Sequence, residues 1–245
     1  LRVSKTAGAI LDLDQHSARV SFSYPVERPF PPAKIAPEAF AKLTAYGASA
    51  RSVTGGAFAG NGEGVIVGIL DSGIMTHPQF DDVYTVHINL VGGNMTCPGA
   101  AHGNSVASII TGNEGIASEA ELFVVRVLDD NGLGNTFHLA EGIIQATDLG
   151  VDIINMSLGL YQDSALLRQA ITYADNNGVL MIAAAGNESL NHISYPAAYP
   201  EVLSVTAIDA SGQHAFFANK SKEIDFAAPG VGILTANKKE GNVLF

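Results

Sequence analysis

Val65-Ile-Val-Gly-Ile-Leu70 is a continuous apolar run, and Asp71 follows it directly. A run of this length without polar alternation is typical of a strand that is covered on both faces. It therefore predicts the first strand of a parallel sheet that lies between layers of helices. Asp71 stands at the carboxyl end of that strand, and this is the edge at which such sheets bind their ligands.

Four further apolar runs and three helical segments continue this alternation along the chain. Parallel strands need a crossover connection, usually a helix, so this order predicts helices on both faces of the sheet. The predicted fold class is α/β, a three-layer α/β/α domain with a mainly parallel sheet. The predicted strands cover residues 65–70, 121–128, 151–155, 179–183 and 202–208, and the predicted helices cover residues 102–110, 136–149 and 164–176.

The amino-terminal part has a less regular pattern. Residues 37–46 are predicted to form a helix, because the segment begins with a proline and ends before Gly47. Residues 51–63 are rich in glycine and small side chains, so we predict a loop there. The chain begins at Leu1 without Met or an apolar leader, which favours a processed or trimmed product.

Composition excludes several classes of protein. The 245 residues include 13 Lys and Arg against 24 Asp and Glu, a formal net charge of −11. Nucleic acids and anionic membranes would repel this charge, so we expect no nucleic-acid partner. The longest apolar stretch, residues 179–185, is too short for a membrane span. A single cysteine, Cys97, excludes an internal disulfide framework.

Three polar residues lie at the ends of predicted elements. Asp71 begins Asp-Ser-Gly after the first strand, His102 begins His-Gly-Asn-Ser-Val-Ala at a helix start, and Asn187 ends Ala-Ala-Gly-Asn after a strand. Each residue alone has an ordinary structural role, as a turn residue, a helix cap or a surface side chain. Their combination in this order is more specific than any one of the three residues.

In this order the motifs resemble those of the subtilisin-like serine proteases, the subtilases. The resemblance runs from about residue 64 to residue 230, and six motifs in register make it specific. It implies hydrolysis of peptide bonds through an acyl-enzyme. The motifs are Asp71-Ser-Gly73, His102-Gly-Asn-Ser-Val-Ala107, Asn155-Met-Ser-Leu-Gly159, Ala184-Ala-Gly-Asn187, Tyr195-Pro-Ala-Ala-Tyr-Pro200 and Phe226-Ala-Ala-Pro-Gly230.

The same resemblance implies a role for each site residue. His102 would be the general base that takes a proton from a serine, and Asp71 would orient its imidazole ring. The side-chain amide of Asn187 would donate to the oxyanion. The substrate backbone would pair with two segments of the chain as an added strand between them. Glu188 would lie at the rim of the pocket for the residue before the scissile bond. The predicted substrate-binding residues are Gly132, Leu133, Gly134, Ser157, Leu158, Gly159 and Glu188.

The chain lacks the family motif that contains the nucleophilic serine. Family members carry Gly-Thr-Ser-x-Ala shortly after Ala-Pro-Gly, and by that spacing the serine would lie a few residues beyond Phe245. Two interpretations stay open. The chain is either a piece of a serine endopeptidase, inactive on its own, or an inactive pseudoprotease that binds peptides or acts as a scaffold. We expect residues 1–50 to be an N-terminal extension or propeptide remnant, and residues 51–245 to be an incomplete catalytic domain.

The resemblance also implies partners and a location. We expect a polypeptide substrate and, as a further partner, a propeptide or a separate C-terminal fragment. We expect no cofactor and no metal, because residues 111–118 are too short a segment to wrap a calcium ion. The habit of the family and the missing initiator Met favour a secreted or cell-envelope protein.

Other functions have weaker support in the sequence. Gly60-Asn-Gly-Glu-Gly64 precedes a strand instead of following one, so its context is wrong for a dinucleotide-binding loop. The remaining histidines lack the spacing of metal ligands. Cys97 is the only candidate for a thiol nucleophile, but a lone cysteine is more often an unreactive side chain. Asn94, Asn187 and Asn219 match the acceptor pattern for N-glycosylation, which is frequent by chance.

Overall fold

The computed structural model describes residues 25–27, 45–54, 60–93, 100–238 and 241–244. Cys97, Asn94 and most of the helix predicted over residues 37–46 lie outside these ranges. Ala45 and Tyr46, at the end of that predicted helix, have irregular backbone.

The described residues form strands and helices in the predicted alternation. The α-helices are α1 Ala50–Val53, α2 Ala101–Ile110, α3 Thr136–Asp148 and α4 Ala165–Asn176, and Pro78–Phe80 forms a 3₁₀ turn. The strands are β1 Pro25–Glu27, β2 Ala48–Ser49, β3 Ile66–Asp71, β4 Thr85–Asn89, β5 Glu121–Arg126, β6 Leu133–Asn135, β7 Ile153–Met156, β8 Leu180–Ala184, β9 Val202–Ile208, β10 Phe226–Pro229, β11 Ile233–Lys238 and β12 Gly241–Leu244.

Seven strands form one parallel sheet in the order β10-β9-β8-β7-β3-β5-β4. After β3, the chain adds β4 and β5 on one side of this strand. It then adds β7, β8, β9 and β10 on the other side. Ile69 of β3 therefore lies between Val124 of β5 and Asn155 of β7. The carboxyl ends of β3 and β7 border the crevice where the direction of strand addition reverses.

Side chains of the central strands alternate between two cores. Leu70 and Val125 belong to the core that contains α3 and α4. Ile69 and Val124 belong to the core on the other face, which contains Ala107 of α2. Both faces of the sheet are thus covered, which explains the uninterrupted apolar runs and confirms the three-layer α/β/α fold.

The five predicted strands correspond to β3, β5, β7, β8 and β9, whereas the sequence does not predict β4 and β10. These two strands form the edges of the sheet and have one neighbour each, so their apolar pattern is weaker. Proline at position 229 is tolerated because an edge strand leaves backbone N–H groups outside the ladder. The prediction of a loop over residues 51–63 is wrong at its start, because residues 51–53 belong to α1, for which Ser49 is the cap.

The predicted helices are present with shifts of a residue or so at their ends. Asn135 caps α3 by accepting a hydrogen bond from the His138 backbone N–H at 2.9 Å. Ser164 caps α4 through its hydroxyl oxygen, which accepts from the Leu167 backbone N–H at 3.4 Å. Both are common N-cap residue types, which is why the sequence indicates these helix starts well.

Two smaller sheets flank the main one. Strand β11 pairs antiparallel with β12 and parallel with β2, and it packs on α2. There the Ala236 backbone N–H donates to the hydroxyl oxygen of Ser108 at 2.9 Å. In the other small sheet β1 pairs antiparallel with β6.

Candidate active site

Asp71 is the last residue of β3, and its carboxylate is 0% exposed. Oδ1 accepts a hydrogen bond from the Ser72 backbone N–H at 2.6 Å. The two carboxylate oxygens lie 2.8 and 2.9 Å from Nδ1 of His102. A carboxylate can only accept, so Nδ1 carries the proton. In the neutral ring Nε2 is then the acceptor, which is the tautomer that a general base requires.

The start of α2 is fixed to the loop that follows β3. The Gly103 backbone N–H donates to the hydroxyl oxygen of Ser72 at 3.3 Å. Oδ1 of Asn104 accepts from the Met75 backbone N–H at 2.6 Å. The N-cap position, Ala100, makes no side-chain cap, so contacts with the loop replace it. Because His102 belongs to the same turn, these contacts also fix its position.

An apolar cleft of about 360 Å³ lies at the carboxyl ends of β7, β8 and β9. His102 and Asn187 both line it, so the fold brings these two predicted catalytic residues to one space, with Asp71 directly behind His102. Ser157 of the predicted substrate-binding set lines the cleft as well, whereas Gly132–Gly134 and Glu188 do not. Apolar side chains in the lining include Val106, Ile109, Ile182, Val205 and Phe217.

The loop after β8 carries Asn187. Gly186 precedes it with φ of 110°, a conformation that glycine adopts without strain. Oε2 of Glu188 accepts from the Asn187 backbone N–H at 2.8 Å, and the Tyr161 hydroxyl donates to the same oxygen. The carboxylate of Glu188 therefore lies against the backbone of the loop.

Strand β6 contains two of the predicted substrate-binding residues, and Gly132 precedes it with φ of 75°. Its register with β1 places Val26 opposite Gly134. A Cβ atom at position 134 would overlap the carbonyl of Val127, so only glycine fits this close approach. One edge of β6 thus already pairs with an extended segment of this chain.

The predicted segment Ser157–Gly159 follows β7. The hydroxyl oxygen of Ser157 accepts from Nδ2 of Asn155 at 3.0 Å. Leu158 is fully buried in the core shared with α3 and α4. A Cβ atom at Gly159 would lie 2.8 Å from Oγ of Ser194, so this position also favours glycine.

Comparison with protein families agrees with this geometry. The sequence model of the subtilase family matches residues 62–243. The chain belongs to the subtilase family.

Curated relatives of this subtilase include several bacterial proteases. Subtilisin Savinase of Lederbergia lenta is 37% identical over 185 residues, 70% of the chain and 66% of Savinase. The major intracellular serine protease of Bacillus subtilis (strain 168) is 37% identical over 208 residues, 74% of the chain and 63% of that protein. The minor extracellular protease Epr of the same strain is 36% identical over 186 residues, 70% of the chain and 28% of Epr. The chain thus spans less than two thirds of the length of these relatives.

A solved structure shows the same architecture. The S218A mutant of the protease domain of PatA superimposes on this subtilase with a TM-score of 0.70 at 29% sequence identity. The match covers 76% of this chain and 74% of that domain. The three-layer fold is therefore shared with a known protease domain.

The sequence alone does not indicate which residues support the site. Ser72 and Asn104 are part of the Asp71 and His102 motifs, but only the structure indicates that they join the two segments. The only pattern that the sequence shows at Asn219 is a glycosylation acceptor. It is fully buried and its amide is hydrogen-bonded, so the subtilase does not present it to solvent.

Metal-ligating clusters and membrane-spanning helices are both absent from the described part of the subtilase. Within those residues no group of three or more His, Cys, Asp or Glu side chains could hold a metal ion. None of the helices described there has the length and apolar character needed to cross a membrane.

Proposed function

We propose that this subtilase is the catalytic part of a serine endopeptidase. The observation that carries the proposal is the buried Asp71–His102 pair, 2.8 Å apart, beside a cleft that Asn187 also lines. A carboxylate on Nδ1 stabilises the imidazolium that forms when Nε2 takes a proton. An amide donor in the same cleft suits the negative charge that develops on a carbonyl oxygen.

In the proposed reaction a serine hydroxyl attacks the carbonyl carbon of the scissile bond, and Nε2 of His102 takes its proton. The resulting oxyanion accepts a hydrogen bond from the side-chain amide of Asn187. When the intermediate collapses, His102 gives the proton to the leaving amine and an acyl-enzyme remains. A water molecule, deprotonated by His102, then releases the acid product and restores the serine.

We propose that the serine belongs to sequence of the full-length protein outside these 245 residues. Support comes from the motif order of the family, in which Gly-Thr-Ser-x-Ala follows the Ala228-Pro-Gly230 segment. We propose that the serine segment forms a helix, and the lining of the cleft supports this, because Val106, Ile109 and Phe217 suit the apolar face of a helix.

The proposed substrate is a polypeptide in an extended conformation. The Gly132–Gly134 edge supports this assignment, because β6 forms antiparallel pairs with β1 and its backbone groups suit an added strand. The Ser157–Gly159 segment would be the opposite edge, with Ser157 in the cleft. Glu188 would border the pocket for the residue before the scissile bond, and we propose that it allows Lys or Arg there.

We further propose that residues 1–50 are an N-terminal extension or propeptide remnant of a catalytic domain over residues 51–245. The pairing of β1 with β6 supports this role, because a segment on the substrate edge is what a propeptide or extension would supply. Strand β2 pairs with β11, which joins the end of this segment to the rest of the domain.

The test uses the full-length protein, a fluorophosphonate serine probe and a peptide substrate. We expect labelling and hydrolysis, and a loss of about 10⁴-fold in kcat for Asp71→Asn, because the wrong His102 tautomer would be favoured. Asp152→Asn is the matched control: Asp152 accepts from the Ile66 backbone N–H at 2.8 Å at the far end of β3. It should retain kcat within a few-fold.

Peptide binding by the full-length protein without labelling or hydrolysis would contradict the proposal. That outcome would establish the alternative, a pseudoprotease that binds peptides or acts as a scaffold. Intact mass under denaturing conditions would also reveal a propeptide or a separate C-terminal fragment that copurifies.

We propose a secreted or cell-envelope location. The extracellular relative Epr supports this location, whereas the intracellular relative from the same bacterium supports a location inside the cell. Fractionation of the native host, with detection of residues 51–245 by antibody, tests it. A protein found only in the cytoplasm would overturn this location and leave the proposed reaction intact.

A further inference from the structure

Asn219 lies beneath the loop that carries Asn187. It is 0% exposed, and its own carbonyl accepts from the Thr206 hydroxyl at 2.8 Å, which anchors it to β9. Its backbone N–H donates to the carbonyl of Gly186 at 2.8 Å. The residue is thus attached both to the sheet and to the loop.

The side-chain amide of Asn219 makes contacts on both sides of Asn187. Nδ2 donates to the carbonyl of Ala185 at 3.0 Å and lies 3.4 Å from Oε2 of Glu188. Oδ1 accepts from the backbone N–H groups of Glu188 and Leu190, at 3.1 and 2.9 Å. Only an amide offers a donor pair and an acceptor in this arrangement, so no other side chain of similar size satisfies all four groups.

The backbone of the loop fits closely around this amide. Gly186 has a positive φ, and a Cβ atom there would overlap Nδ2 of Asn219. Ser189 also has a positive φ, of 59°, which is uncommon for a residue other than glycine. Such conformations persist where the surrounding contacts specify them, and functional sites are where they concentrate.

We infer that Asn219 is the positioning residue for the oxyanion donor Asn187. Its amide holds the carbonyl before Gly186 and the N–H groups after Asn187, and so fixes where the Asn187 side chain lies in the cleft. The inference rests on the proposed function, because it assigns a support to one residue of that reaction. In this role Asn219 makes no direct contact with the substrate.

The first test compares Asn219→Ala and Asn219→Asp in the full-length protein. The Asp variant keeps the volume and the two accepted hydrogen bonds, but its second oxygen would face the carbonyl of Ala185 and the carboxylate of Glu188. We expect kcat to fall about 10- to 100-fold in both variants, because small displacements of a catalytic group have effects of this size. KM should change less than about 3-fold, and a transition-state-analogue inhibitor should lose affinity in parallel with kcat.

A double-mutant cycle with Asn187→Ala separates positioning from general stability. Loss of one oxyanion donor lowers kcat by about 10²- to 10³-fold, a range known from subtilisin itself. If Asn219 acts through Asn187, then Asn219→Asp should lower kcat less than about 3-fold in the Asn187→Ala background. Ser164→Ala, which removes the cap of α4, is the control for stability loss elsewhere and should leave kcat unchanged.

The outcomes distinguish the two proposals. Equal losses of kcat in both backgrounds, or unchanged kcat in folded Asn219 variants, would overturn the positioning role while the protease stays active. If Asn219→Ala does not fold, the Asp variant decides by the same criteria. A wild-type protein that neither labels nor hydrolyses would instead overturn the proposed function, and the positioning role with it.

Discussion

Gly103 follows His102 in α2 and lies against the loop that Asp71 begins. A Cβ atom at position 103 would overlap the backbone carbonyl oxygen of Gly73. A backbone oxygen has little freedom to move, so the glycine is required by the close approach of helix and loop. The distance between Asp71 and His102 therefore depends on a residue that takes no part in the chemistry.

We expect Gly103→Ala to lower the free energy of unfolding by about 1–3 kcal/mol, because the added methyl forces helix and loop apart. Urea unfolding of the full-length protein measures this. Gly60→Ala is the matched control, since a Cβ atom there meets nothing within 4 Å, and its effect should stay within about 0.5 kcal/mol. Equal stability of the two variants would contradict the close approach.

A substitution of Glu188 tests the proposed preference for a basic residue before the scissile bond. We expect Glu188→Gln to lower cleavage after Lys and Arg by about 2- to 5-fold relative to cleavage after apolar residues, the range of a partly exposed ion pair. A library varied at the residue before the scissile bond measures the ratio. Glu223→Gln removes the same charge from an exposed turn and should leave the ratio unchanged. An unchanged ratio in Glu188→Gln would refute the preference.

Asp225 joins the start of β10 to β9. Its Oδ2 accepts from the Ser204 backbone N–H at 2.8 Å and from the Ser204 hydroxyl at 2.7 Å. Hydrogen bonds from the backbone and side chain of Ser204 lower the pKa of Asp225 below its ordinary value of 3.8. Because the folded-state pKa is depressed, this contribution to stability is present above pH 3.8 and is lost as the pH falls through the folded pKa.

Asp225→Asn should therefore lower the Tm at neutral pH, and the difference from the wild type should shrink as the pH falls below about 3.8. Thermal unfolding followed by circular dichroism at several pH values measures it. Asp82→Asn removes an exposed charge of the same kind and should show a smaller effect. A difference that stays constant down to strongly acidic pH would contradict the assignment to the carboxylate.

The pairing of β1 with β6 predicts competition between the N-terminal segment and substrate. In the full-length protein, removal of residues 1–44 should lower KM for extended peptides, since the edge of β6 no longer pairs with β1. A small ester that does not reach β6 should show no change in KM and serves as the control. Unchanged KM for extended peptides would show that this edge is not the substrate edge.

The apolar cleft joins elements that are far apart in sequence. Its lining combines α2 with the carboxyl ends of β7, β8 and β9 and with residues around β10. Apolar surface in contact with water reduces stability by about 25 cal/mol per Å² relative to its burial. A helix that carries the serine would cover this surface.

We expect the full-length protein to unfold at a higher urea concentration than the 245-residue chain, and to bind less of the dye ANS. The physical reason is burial of the cleft by the proposed helix. Both proteins are compared at the same concentration and pH, with the Asp152→Asn variant of each as a control for general changes. Equal stability and equal dye binding would contradict coverage of the cleft.

The layers, the central strands and the order of the family motifs follow from local patterns in the sequence. Buried parallel strands read as unbroken apolar runs, as at residues 65–70, because both faces are covered. Helices α3 and α4 were predictable from polar caps and apolar periodicity, which are local signals. The edge strands β4 and β10 were not, because a strand with one neighbour needs less apolar sequence.

How the motifs meet depends on contacts between segments that are distant in the sequence. Asp71 and His102 are 31 positions apart, and their contact depends on the close packing of Gly103 against the loop. The role inferred for Asn219 has no sequence signal, because the partners of its side-chain amide lie 29 to 34 positions away. Hydrogen bonds between distant segments depend on how the helices and strands pack together, and no local sequence pattern specifies that packing.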